Sequence, residues 1–226
     1  MLPFEGGVSG TDNATLLFAV LLAVAYLFYL GRPTTPLKVV AKTLSVMLLA
    51  GLSASVGAPW TLTLALTLCA AGDFFLAIER LSEKFFLAGL VAFLAGHVVY
   101  IAVFSGLPDT AATLPAWMRT AIIAVVIFVA LAMASMLWQA SGALRWPVMI
   151  YVMAIVAMAS AAVANGGGLI VAGSLLFMAS DSILATERFL MKDDSARKRH
   201  TGPAVWVTYY AAQVLILFGV LAAAGA

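Results

Sequence analysis

The chain has one cysteine, two histidines and only 10% charged residues among its 226. Each scarcity excludes something. A single cysteine, Cys69, cannot form an internal disulfide or a Cys-x-x-Cys metal or redox pair; set inside an apolar run, it reads as a packing residue. His97 and His200 stand too far apart for a His-x-x-x-His zinc motif, and two aspartates with one histidine make no recognisable ligand set, so no metal or other cofactor is expected. Glycine-rich phosphate loops, a nucleophile elbow and Ser/His/Asp spacing are all missing. The charged fraction is well under the ~25% usual for soluble domains, which excludes that class. A net charge of +2 gives no reason to expect nucleic acid as a partner, because the basic residues gather at loop ends beside lipid headgroups.

What is present is apolar sequence, 64% hydrophobic with a mean hydropathy of +1.09. Spanning a bilayer as a helix takes about 20 residues. Runs of that order fall near 14–30, 38–57, 60–78, 85–105, 117–138, 146–164, 168–187 and 202–224, separated by Pro33 and Pro36, Gly57 to Pro59, Glu79 to Lys84, Pro108 and Pro115, Gly142 to Pro147, Asn165 to Gly168, and the polar run Lys192 to Pro203. The reading is an all-α integral membrane protein of eight transmembrane helices, forming one transmembrane domain over 1–226. The runs lack the alternation that a membrane barrel needs. With eight spans, every Lys and Arg except Arg119 falls on one side, which by the positive-inside rule is cytoplasmic. Both termini are then expected on the non-cytoplasmic side. The amino-terminal stretch has no basic region and reads as a retained first span rather than a cleaved signal. Asn13-Ala14-Thr15 fits a glycosylation sequon but abuts the membrane. A multi-pass protein of a bacterial inner membrane is expected.

Two aspartates stand out against this background. Leu68 to Arg80 reads LCAAGDFFLAIER and Leu176 to Arg188 reads LFMASDSILATER, near-copies placed about half a chain apart. A carboxylate at the centre of a bilayer costs ~2.5 to 3.5 kcal/mol on insertion scales and marks a functional site by default. The copies suggest a parallel internal repeat of four helices plus four, over about 14–105 and 117–224. Phe93 to Val99 aligns with Tyr209 to Leu215, setting polar His97 against polar Gln213, while the first two helices of each half show no convincing match. Asp73 and Asp181 each lie six residues before a Glu expected to close the helix, roughly 9 Å inside its cytoplasmic end. Apolar neighbours one turn away, including Cys69 and Leu76, Phe177 and Leu184, would desolvate both carboxylates, and one of the pair could hold a proton that the other lacks.

Further residues could line a cavity. His97 and Tyr100 share a face of the fourth span with Phe93 and Phe104. Tyr209, Tyr210 and Gln213 on the eighth span and Tyr151 on the sixth could face the same space, although each alone also fits packing or an interfacial ring. Lys42, about one turn into the second span, reads first as a snorkelling lysine and otherwise as partner to a buried aspartate or a substrate phosphate. Glu79-Arg80 and Glu187-Arg188 read as interfacial charges, and Arg197 to His200 as a basic cluster suited to anionic lipid.

Four segments in register, G-D-F-F-L at the end of the third span, A-G-H-V-V-Y in the fourth, F-M-A-S-D-S-I-L-A in the seventh and Y-Y-A-A-Q in the eighth, resemble the YhhN-like membrane proteins, whose characterised members are lysoplasmalogenases. The resemblance implies a multi-helix membrane hydrolase that cleaves the vinyl ether of a lysophospholipid, releasing a fatty aldehyde and glycerophosphoethanolamine or glycerophosphocholine. Its buried catalytic aspartates would correspond to Asp73 and Asp181, with His97, Tyr100, Tyr151, Tyr209, Gln213 and Lys42 as substrate-binding candidates. The Lys-Pro step associated with the start of the second helix is not intact, since Lys42 precedes Thr43 and Arg32 precedes Pro33. The chemistry suits a carboxyl pair, as in inverting glycosidases, because hydrolysis passes through an oxocarbenium ion and needs a proton donor and a base. The rival class is a proton-coupled transporter, which also combines internal repeats with buried carboxylates.

Overall fold

The computed structural model describes residues 3–5, 7, 10–108, 113–192, 195 and 197–225. Parts of the amino-terminal stretch, of the break between Pro108 and Pro115, and Asp193, Asp194 and Ala196 of the polar run lie outside the described residues. Among the described residues eight α-helices follow in order: α1 (Thr11–Tyr29), α2 (Pro36–Ser55), α3 (Trp60–Ala77), α4 (Glu83–Ser105), α5 (Ala116–Ala140), α6 (Arg145–Asn165), α7 (Gly168–Phe189) and α8 (Lys198–Ala224). Each falls on one of the eight apolar runs, and each is long and apolar enough to cross a membrane. Among the described residues there is no strand. The protein is an all-α, multi-pass integral membrane protein, a consequence of lipid offering no partner to an unpaired backbone amide or carbonyl.

Local chemistry sets the helix ends. Thr35 caps α2, its hydroxyl accepting from the Lys38 amide at 3.3 Å, and Pro36 supplies the first helical residue, where a missing N–H costs nothing. Gly57, at φ +72°, closes α2 in a Schellman turn, with the Ala58 amide donating to Ser53 O at 2.9 Å and the Gly57 amide to Ala54 O at 3.3 Å. Asn13 is buried at the start of α1. Its amide donates to the carbonyls of Phe4 and Gly7 at 2.7 and 2.9 Å and its oxygen accepts from the Phe4 amide at 3.1 Å. The sequon asparagine is therefore a clasp on the preceding segment.

Three helix ends near the aspartates and the polar run differ from the expectation. α3 stops at Ala77, and Glu79–Leu81 form a separate 3-10 turn, whereas α7 continues through Glu187 to Phe189. At 1.5 Å per residue Asp73 lies roughly 6 Å from its helix end and Asp181 roughly 12 Å from its own, rather than ~9 Å each. α8 begins at Lys198, inside the polar run, with Pro203 in its second turn. Lys and Arg are good helix formers, and a proline this close to the start disturbs few backbone bonds.

The chain divides into two compact units, Met1–Val103 and Phe104–Gly225. In the first, α2 packs against both α1 and α3. α3 meets α4 through small residues: a Cβ on Gly72 would lie 2.6 Å from the Phe93 ring, and one on Gly96 2.9 Å from Cys69 Sγ. In the second, Val126 and Ala130 of α5, Ile155 and Ala159 of α6 and Met178 of α7 form a buried cluster. α7 and α8 touch most closely at Gly173, where a Cβ would lie 2.8 Å from Ile216 Cγ1 and 2.9 Å from Ala212 O, and at Gly219, opposite Ile170. Glycines at crossings let backbones approach, the usual basis of helix association in lipid. Phe28, Phe128, Leu131 and Met153 stay exposed, as lipid-facing residues do, and exposed Trp60, Trp117 and Trp146 stand in the first turns of α3, α5 and α6, where interfacial rings belong.

Candidate functional site

In the first unit Asp73 is carried on the buried face of α3, one turn beyond Cys69 and Ala70, with only 1% of its surface exposed. Such a carboxylate needs a partner, and Lys42 of α2 supplies it, with Nζ 3.3 Å from Asp73 Oδ1. The Lys42 side chain is 13% exposed and its ammonium lies 6.0 Å from the centroid of the Tyr26 ring on α1. First-choice snorkelling of Lys42 is therefore corrected to the alternative: the lysine reaches inward because a fully buried carboxylate on the adjacent helix attracts it more than the headgroups do. Tyr26 contributes a cation–π contact. Sequence reading missed it, and the only available signal was a tyrosine on the buried side of an otherwise lipid-facing helix.

His97 and Tyr100, one turn apart on α4, are both fully buried. The His97 Nδ1 lies 2.7 Å from the Phe93 carbonyl of its own helix. A carbonyl only accepts, so Nδ1 carries the hydrogen. Cys69 sits at the crossing with Gly96, the packing role expected of it.

In the second unit Asp181 lies on the buried face of α7, 9% exposed. The Tyr151 hydroxyl of α6 donates to its Oδ2 at 2.8 Å. Neighbouring hydroxyls are occupied by backbone: Ser180 donates to Val205 O of α8 at 3.0 Å, and Ser182 to Met178 O at 2.8 Å. On α8, Tyr209 meets Phe177 edge to face with centroids 5.3 Å apart, and Trp206 stacks on Tyr210 at 5.8 Å. Gln213, one turn beyond Tyr209, is fully buried. The Tyr210 hydroxyl has no hydrogen-bond partner among the described residues.

The two aspartates thus share a construction within their own units. Each sits on the third helix of its unit and is met by a polar side chain from the second, at almost the same sequence separation: Lys42 for Asp73, Tyr151 for Asp181. The partners differ in kind, one a cation and the other a neutral donor. Tyr209 is placed in an aromatic cluster. Among the described residues no three His, Cys, Asp or Glu side chains group together. A cleft of about 300 Å³ lined by Thr113, Gly167, Gly168, Leu169, Gly219, Ala222 and Ala223 opens at the start of α7, roughly 20 Å along the helix from Asp181, and carries no ionisable side chain.

The geometry can hold one carboxylate as an ion pair and orient another with a phenol, the equipment of proton transfer. No curated protein and no solved structure matches the chain. The sequence profile of the YhhN family matches residues 37–220, from the first turn of α2 almost to the end of α8 and across both aspartates and their partners; the chain belongs to the YhhN family.

Proposed function

We propose that the protein is a lysoplasmalogenase-like hydrolase of a cell membrane of the bacterial inner-membrane type. It cleaves the vinyl ether of an alkenyl glycerophosphoethanolamine or glycerophosphocholine to a fatty aldehyde and a glycerophosphodiester, with Asp73 and Asp181 as the acid and base. The observation that carries this reading is a buried carboxyl in each half of the chain, each met by a dedicated polar partner from the preceding helix, in a member of the YhhN family. Carboxylates so placed are costly to keep in lipid, and vinyl ether hydrolysis needs two proton-handling groups. The substrate's one hydrocarbon chain suits the apolar helices and its phosphate suits the basic rim. His97, Tyr100, Tyr209 and Gln213 are the side chains proposed to line the substrate, while Lys42 and Tyr151 act through the carboxyls they hold.

The reading extends to a four-plus-four repeat with both termini non-cytoplasmic. Contacts inside the two units support the register inferred from sequence. The 65/96 crossing of α3 with α4 corresponds to the 173/212 crossing of α7 with α8, with the glycine on the opposite helix, and contact between 72 and 89 corresponds to contact between Ser180 and Val205. A proton-coupled carrier is the alternative, but carriers place unwound, Gly/Pro-broken helices at their sites, whereas α3 and α7 run unbroken through their aspartates.

The test is aldehyde release from lysoplasmenylethanolamine by purified protein in detergent, comparing wild type with Asp73→Asn and Asp181→Asn, each checked for folding. Loss of activity in both folded variants is expected. A well-folded wild type that releases no aldehyde, across headgroups and with divalent metals added, would reject the substrate and bring the carrier forward.

A further inference from the structure

The end of the first unit at which α1 stops and α2 begins carries more cations than carboxylates: Arg32, Lys38, Lys42, Arg80 and Lys84 against Asp73, Glu79 and Glu83. Lys38 and Lys42 are one turn apart on the same face of α2, and like charges at that spacing cost energy unless an anion offsets them. Lys42 has its anion in Asp73, 3.3 Å away. Lys38 has none: among the described residues neither it nor Arg80 is in an ion pair, and the Lys38 ammonium donates instead to the Arg32 carbonyl at 2.9 Å. The charges of Lys42 and Arg80 both reach Lys38, so the 3-10 turn that follows α3 brings Arg80 back toward the first turn of α2. Glu79, beside Arg80, acts deeper, on Lys42 and Tyr26. Snorkelling accounts for a lone lysine at a helix start. It does not account for two unpaired cations drawn within reach of each other.

Resting on the hydrolase reading above, we propose that Lys38 and Arg80 form the subsite that holds the phosphate of the substrate's headgroup, one helical turn outward from the level of Lys42 and Asp73. The chemistry of the pair suits a phosphodiester. A guanidinium grips two of its oxygens at once, and an ammonium adds a compact charge beside it. The spacing suits the rest of the molecule. Four residues of α2 separate Lys38 from Lys42, ~6 Å along the helix, and the five single bonds from phosphorus to the ether oxygen of a lysoplasmalogen span about the same length. A phosphate on Lys38 and Arg80 therefore brings the ether oxygen to the depth of the Lys42–Asp73 pair. Arg80 is exposed and Lys38 half-buried, which leaves the subsite open to the headgroup layer. Exposed Leu37 and Val40 flank Lys38, and exposed Leu81 follows Arg80, so the site adjoins apolar surface that suits a lipid better than a free phosphate ion.

Equilibrium binding in nonionic detergent reads the subsite without turnover. The ligands are a saturated 1-O-alkyl glycerophosphoethanolamine, which has no vinyl ether to cleave, the same alkylglycerol without its phosphate, chain-free glycerophosphoethanolamine, and inorganic phosphate. An exposed ion pair is worth up to about fivefold in affinity, so wild type should prefer the phosphate-bearing ether over the alkylglycerol by roughly tenfold or more. Lys38→Gln and Arg80→Gln should each lower that preference about threefold to fivefold, and the double variant should abolish it while binding the alkylglycerol as wild type does. Lys38→Arg should keep it. Lys84→Gln, at an exposed lysine of the same end, should leave it intact. A double variant that retains the preference, with its fold verified by circular dichroism and gel filtration, overturns the subsite. An equal loss in Lys84→Gln also overturns it, by reducing the effect to general surface charge. Glycerophosphoethanolamine or inorganic phosphate binding as tightly as the ether lipid overturns the lipid as the source of the phosphate. In turnover of lysoplasmenylethanolamine, Lys38→Gln and Arg80→Gln should raise KM with kcat little changed, the mark of binding shared by ground and transition states. Wild type that releases no aldehyde but shows a phosphate preference lost in the double variant rejects the hydrolase reading and keeps the subsite. Aldehyde release with the preference retained in the double variant rejects the subsite alone.

Discussion

Replacing Lys42 with methionine keeps most of the side-chain volume on α2 and removes the ammonium that lies 3.3 Å from Asp73 Oδ1. The aspartate has 1% of its surface exposed, so water cannot take the ammonium's place. Breaking a buried pair by removing one partner costs about 3 to 5 kcal/mol, because the other charge is left uncompensated or must be neutralised. The converse change, Asp73→Asn, should cost less, since the flexible stem of Lys42 lets its ammonium turn toward the headgroups once the carboxylate is gone. In the double variant neither charge remains. It should therefore regain at least ~1 kcal/mol over Lys42→Met, a coupling that a double-mutant cycle isolates. Cys69 provides the assay: it is the chain's one cysteine, fully buried on α3 one turn from Asp73. Its reaction with a thiol-reactive dye during unfolding in mixed micelles follows the loss of packing around the ion pair. A Lys42→Met protein as stable as wild type, or a double variant no better than Lys42→Met, would refute the claim that this pair supports the fold.

Other consequences are open to direct measurement. Tyr151→Phe removes one hydrogen bond to a largely buried carboxyl, so a loss of about 1 to 3 kcal/mol in the same unfolding assay is expected, together with slower aldehyde release; unchanged values of both would deny Tyr151 its role. Gly173→Val places side-chain atoms where a Cβ alone already lies 2.8 Å from Ile216 Cγ1, and the forced separation of α7 from α8 should cost roughly 1 to 3 kcal/mol. Gly51→Ala, with nothing within 4 Å of the added carbon, should be neutral or gain up to about 1 kcal/mol from helix propensity, and equal effects at the two glycines would contradict the packing described for α7 and α8. In the folded protein Cys69 should resist maleimide under conditions that label an introduced cysteine at Ser55, an exposed position on α2, and comparable labelling of the two would show that the α3 and α4 crossing is open.

The number, length and order of the helices were legible in the sequence because lipid makes helix formation a local matter. An apolar run that must satisfy its own backbone hydrogen bonds has no alternative, whichever neighbours it meets. Asp73 and Asp181 were legible for a related reason, since a carboxylate in such a run is conspicuous by its cost alone. The family was legible in the segments around those two residues. What surrounds each aspartate was decided by tertiary structure. Lys42 near a helix end looks the same in sequence whether it turns to the headgroups or inward, and Tyr151 looks like any packing or interfacial tyrosine. Each is about thirty residues from its aspartate, so no periodicity connects them. Which side chains meet depends on how far each helix is rotated about its axis, and that rotation is set by close contacts such as Gly72 with Phe93 and Gly173 with Ile216. The apolar runs determined that the chain crosses the membrane; the packing of small residues decided that one buried carboxyl is paired with a cation and the other with a phenol.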